Sequence, residues 1–128
     1  MSNVGALLAE CRSRITRVTP HEAACIQANG GVLVDIRPLG QRLTSGGIPG
    51  SLIVERNVLE WRVDPTEEYR HPSLSSNIQV VVFCQEGFAS SLAVESLQRL
   101  GITWIFDMKG GFIAWKASGL TTHDAIEE

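Results

Sequence analysis

Apolar positions along the chain follow two rhythms. Val4, Leu7, Leu8, Cys11 and Ile15 recur at helical spacing and predict an amphipathic helix at the start. Thr19-Pro20-His21-Glu22 places a hydroxyl residue before a proline, with a glutamate three positions on, which predicts a capping box. The helix it opens should stop at Asn29-Gly30-Gly31, where the backbone can turn left-handed. The rhythm then changes. Val32 to Ile36, Gln79 to Phe83 and Trp104 to Met108 are short apolar runs of the kind found in strands covered on both faces. Leu92, Val94, Leu97 and Leu100 mark a helix between the last two runs, ended by Gly101, and a shorter helix should hold Phe112 to Lys116. Asp64 to Asn77 is polar, contains Pro65 and Pro72, and reads as a surface excursion. Thr121 to Glu128 reads as a frayed tail. Strand–helix alternation of this kind predicts an α/β fold with a mostly parallel central sheet flanked by helices.

Composition narrows the setting. The 128 residues suit a single domain, with a core over about 15–120 and no linker or repeat. A formal charge of −3 gives no basic footprint, which argues against a nucleic-acid partner. Cys11, Cys25 and Cys84 are odd in number and widely spaced, so they form no disulfide framework and no metal cluster. Free thiols fit a reducing compartment. The longest apolar run is far too short for the ~20 residues that span a bilayer, and Met1 to Glu10 lacks a secretory pattern. The expectation is a cytoplasmic protein with no membrane partner, no cofactor and no metal.

The candidate chemistry lies at one strand end. In open parallel sheets, ligands bind beyond the carboxyl ends of the strands. Cys84 follows the most apolar run and leads into Gln85-Glu86-Gly87-Phe88-Ala89-Ser90 and then a helix. A loop that closes onto a helix N-terminus turns backbone N–H groups inward, making a nest for an anion. A thiolate or persulfide on Cys84 is the anion that would fill it. Cys11 and Cys25 fall in helical patterns and are expected to be slower thiols. His21, His71 and His123 have no evident role as a base.

With Cys84 so placed, the chain resembles the rhodanese family from about Ile15 to Leu120. Val34-Asp35-Ile36-Arg37 is similar to that family's D-x-R strand ending. Gly46-Gly47-Ile48-Pro49-Gly50-Ser51 is similar to its G-H-I-P-G-A turn, with Gly47 where histidine is usual. Cys84 to Ala89 resembles the six-residue C-x-x-G-x-x active loop, and Gly110 to Trp115 the closing G-G-x-x-A-W. The resemblance implies a three-layer rhodanese-like fold and a sulfurtransferase, with Cys84 carrying sulfane sulfur from thiosulfate or a thiol persulfide to a thiophilic acceptor. Its partners would be small sulfur compounds or a protein sulfur acceptor. Gly87 would let the loop curl, while Asp35 and Arg37 would support a neighbouring loop. The loop lacks the cation common in enzymes acting on thiosulfate, and its only charge is Glu86. Arg56 and Arg62 could replace that cation if they face the cleft; otherwise they are solvated charge beside Glu55 and Glu60. A sulfur carrier or a regulatory module remains the alternative. A cysteine phosphatase is disfavoured, because Ser90 stands where its phosphate-clamping arginine belongs.

Overall fold

The apolar runs pair edge to edge. A computed structural model describes residues 1–124, in which five strands form one sheet: β1 (Arg17–Val18), β2 (Val32–Asp35), β3 (Leu52–Ile53), β4 (Val80–Phe83) and β5 (Ile105–Met108). Their order is β1-β5-β4-β2-β3, and every pairing is parallel. Both faces are covered. Val80 and Val82 point into a cluster with Val94 and Leu97, while Val81 and Phe83 point into one with Ala23, Phe112 and Trp115. This two-residue alternation follows from the pleat. Helices α1 (Asn3–Arg12), α4 (Leu59–Val63) and α5 (Ala89–Gln98) form one outer layer; α2 (Pro20–Ala28) and α6 (Gly111–Ala117) form the other. A further short helix, α3 (Leu39–Ser45), follows β2.

This topology fixes where a crevice can open. From β2 the chain moves outward to β3, whereas from β4 it moves the opposite way to β5. The connections leaving the carboxyl ends of β2 and β4 therefore diverge, and the gap between them is the switch point where open sheets bind ligands. Arg37 and Pro38 leave from one side of this gap, and Cys84 and Gln85 from the other.

The predicted capping box is present. Thr19 Oγ1 accepts from the Glu22 N–H at 3.1 Å, and Glu22 Oε1 accepts from the Thr19 N–H at 2.8 Å. Helix α1 forms, but Val4 and Leu7 are exposed and only Cys11 is buried, so it docks through its last turn. The two-residue strands β1 and β3 are too short to show a period. Segment 64–77 holds no helix or strand, although Leu74 is buried within it. The expected frayed tail needs correction over Thr121 to Asp124. Thr121 O accepts from Trp115 Nε1 at 2.8 Å, and His123 forms an antiparallel bridge to Gly47. Exposed paired backbone alone would fray, but these bonds close over a buried indole. The remainder of that expectation, residues 125–128, lies outside the described residues. Among the described residues no helix is long and apolar enough to cross a membrane, and no group of three or more His, Cys, Asp or Glu is placed to hold a metal.

Candidate active site

Cys84 continues the alternation of β4, so its side chain points to the α5 side of the sheet. The loop then bends at Gly87, where φ is +87° and a Cβ would stand 2.7 Å from the Gly110 nitrogen. A Cβ on Gly111 would meet the Cys84 carbonyl at 2.4 Å, so this turn also packs only as glycine. That closeness lets α6 bond the loop: the Phe112 and Ile113 N–H groups donate to the Cys84 and Gln85 carbonyls at 2.8 and 3.1 Å. With its first carbonyls directed to α6, the loop presents N–H groups to its own concave side. Cys84 Sγ accepts from the Gly87 N–H at 3.2 Å and from the Ser90 N–H at 3.3 Å, at the start of α5. Backbone donors and the start of a helix thus both turn the positive ends of their dipoles toward sulfur.

Charged side chains brace this cradle from two directions. Arg37 is buried, with its guanidinium 4.3 Å from the Phe112 ring centroid. It donates from Nε and Nη2 to Asp35, from Nη2 to the Gly46 carbonyl, and from Nη1 to Gln85 Oε1 at 3.0 Å. Gln85 in turn donates to Ser45. On the other flank, fully buried Asp107 accepts from the hydroxyls of Ser90 and Ser91, both at 2.5 Å, and from Arg17 Nε at 2.8 Å. These are charge-assisted bonds, about twice as strong as neutral ones. Because the Ser90 hydroxyl donates to Asp107, its oxygen is left to accept from the Cys84 thiol at 3.3 Å. Arg12 donates to the Gly87 carbonyl and to Ser91 Oγ.

Sulfur faces an open pocket of about 300 Å³. Ile36, Pro38, Phe88 and Ala89 give it apolar walls, and Arg37, Gln41, Arg56, Gln85 and Glu86 contribute polar groups. Of the expected loop residues, Gln85, Glu86, Phe88 and Ala89 line this space, while Gly87 and Ser90 are buried beneath it. Arg56 reaches the pocket, but both Glu60 oxygens accept from it at 3.0 Å. Burial raises the Glu60 carboxyl, yet bonds from Ser96 and Arg56 outweigh this and hold it below its ordinary range. Arg62 lies elsewhere, donating to the Tyr69 carbonyl and stacking 4.7 Å from that ring, so it supplies no cation to this cleft. Its helix turns it toward the excursion after α4. Cys25 is exposed rather than tucked into a helix interface, so access does not slow it. Cys11 is buried; burial, then Glu95 and Asp107, push its thiol up.

Among the bracing residues that escaped the sequence reading are Arg12, Arg17, Ser91 and Asp107. Only Asp107 left a signal, since a carboxylate inside an apolar strand must be paired where it is buried. The other three become meaningful only after α1 and β1 dock.

Comparison with known proteins agrees with this architecture. Residues 19–118 match the model of the rhodanese-like domain family. The chain is 30% identical over 111 residues to a thiosulfate sulfurtransferase GlpE of Actinobacillus pleuropneumoniae, covering 86% of this chain and 94% of that one. It is 29% identical over 106 residues to the GlpE of Ectopseudomonas mendocina, covering 83% and 89%. A solved structure from Rhodopseudomonas palustris, a protein of unknown function described as a possible tyrosine phosphatase, is 31% identical, with a TM-score of 0.85 over 96% of each chain.

Proposed function

The chain belongs to the rhodanese-like domain family, and on that premise we propose that it is a sulfurtransferase carrying sulfane sulfur as a persulfide on Cys84. One observation carries this reading: Cys84 lines an open pocket, and two backbone N–H groups are directed at its Sγ. The Cys84 thiolate attacks the outer sulfur of a donor. The donor's S–S bond breaks, its inner part leaves with the electron pair, and a Cys84 persulfide forms. A nucleophilic acceptor then takes the outer sulfur and returns the thiolate. The two steps balance without an external oxidant or reductant.

The pocket favours a thiol-bound donor over thiosulfate. Its two arginines are bonded to carboxylates, Arg37 to Asp35 and Arg56 to Glu60, and Glu86 adds negative charge at its wall. The GlpE relatives are named for thiosulfate, so the donor must be tested directly. A phosphatase reading is weaker, because the Ser90 hydroxyl is bonded to Asp107 and offers phosphate no positive charge. The three free cysteines, exposed Cys25 among them, suit a reducing compartment such as the cytoplasm.

Mass spectrometry after incubation with thiosulfate or with a thiol persulfide tests the reading. Wild type is expected to gain one sulfur on the Cys84 peptide, faster with the thiol persulfide, and Cys84→Ser to gain none and transfer none. Sulfur transfer retained by Cys84→Ser would remove Cys84 from the reaction.

A further inference from the structure

The segment matched to the family begins at residue 19, yet a side chain from α1 reaches into the active loop. Arg12 Nη2 donates to the Gly87 carbonyl at 2.7 Å, and Arg12 Nε donates to Ser91 Oγ at 3.0 Å. Its guanidinium lies 5.7 Å from the centroid of the Phe88 ring. These contacts bracket Ser90, and two of the residues touched or bracketed, Gly87 and Ser90, supply the N–H donors to sulfur. Helix α1 is itself held to α5: the Cys11 thiol donates to the Ser91 carbonyl, and Arg14 pairs with Glu95.

Gly87 has no side chain with which to fix its own conformation, and its positive φ is one of several that glycine adopts freely. The carbonyl of a trans peptide points opposite to the N–H of the next residue. A guanidinium holding the Gly87 carbonyl therefore fixes the direction of the Phe88 N–H as well. Arg12 is not among the residues lining the pocket, so it acts through the loop and not on the donor.

We infer that Arg12 is a positioning residue for sulfur transfer, and that α1 is thereby a functional part of the site. This rests on the reading that Cys84 carries sulfur. Removing Arg12 leaves the Gly87 carbonyl with only the longer 3.3 Å bond from Ser91 Oγ. The Gly87–Phe88 peptide, which lies between the Gly87 and Ser90 donors, then rotates more easily, and the two N–H groups spend less time converged on the reacting sulfur. The effect falls mainly on kcat, because Arg12 itself does not line the surface that meets the donor.

The experiment compares Arg12→Ala with Arg99→Ala, which removes an exposed positive charge at the far end of α5 without touching α1 or the loop. Folded fraction is followed by circular dichroism, and Cys84 alkylation is timed alongside sulfur transfer. Arg12→Ala is expected to lower kcat by about ten- to a hundredfold, the loss typical of a misplaced reacting group, with the KM of the donor nearly unchanged. Millimolar guanidinium ion should restore much of the loss, and Arg99→Ala should behave as wild type. Wild-type kcat in Arg12→Ala, or a loss that tracks the unfolded fraction and resists guanidinium, would overturn the inference. If wild type takes up no sulfur, the underlying reading fails. Arg12 is then judged on alkylation alone: slower Cys84 labelling in folded Arg12→Ala supports the positioning role, and an unchanged rate refutes it.

Discussion

The active loop is braced by two arginine–carboxylate pairs that are built differently. Arg37 and Asp35 stand two residues apart at one strand end, and both side chains are fully buried. Arg17 and Asp107 come from neighbouring strands ninety residues apart, and Arg17 remains 19% exposed. A sealed pair tolerates no loss, because either partner alone is a charge in a dry interior. A pair with one end in water can shed its cation's burden to solvent. The first brace should therefore dominate stability, and the second should be tunable.

Replacing Arg37 is the sharpest way to break this contrast. Arg37→Met leaves Asp35 buried without its cation, and urea unfolding should show a loss of about 3–5 kcal/mol. A loss below about 1 kcal/mol would mean that solvent already reaches Asp35. Asp107→Asn should cost less, about 1–3 kcal/mol, because Arg17 can turn to water while one serine loses its acceptor. The same variant should alter the rate of Cys84 alkylation, since the Ser90 hydroxyl is freed from the carboxylate. Equal losses in the two variants would erase the distinction between the braces.

The smallest effect is one of pH and belongs to the Asp107 side. The Cys11 thiol is held above its ordinary value by burial, then by Glu95 and Asp107. Between the unfolded value of about 8.5 and that raised one, the native state binds more protons than the unfolded chain. Stability is therefore full below this window and declines as pH rises through it. Unfolding measured from neutral to alkaline pH should show the decline in wild type and a shallower one in Asp107→Asn. An unchanged slope would mean that Asp107 has no influence on Cys11.

The same contrast explains what could be read in advance. The Asp35–Arg37 brace, the Cys84 loop and the Gly110–Gly111 turn are each local, so a few consecutive residues carry their geometry. Strands β2, β4 and β5 were legible because burial on both faces leaves a continuous apolar run. The second brace was not, because Arg17 and Asp107 meet only once β1 and β5 have paired. Arg56 and Arg62 looked equivalent in sequence; the short turn from Arg56 to Val58 and the helix after it send one to the pocket and the other to Tyr69. Two-residue strands such as β1 and β3 have no period to detect.

The α6 bonds to the Cys84 and Gln85 carbonyls have a consequence for the order in which the site is made. During synthesis Cys84 leaves the ribosome well before Phe112 and Ile113, whose N–H groups hold its loop. The Thr121–His123 segment, which seats against Trp115 and Gly47, follows later still. A growing chain thus carries its nucleophile on an unsupported loop until nearly all of the described residues exist. Arg12 is separated from Ser91 by 79 positions and Arg17 from Asp107 by 90, so the cradle closes only after β5 and α6 have followed.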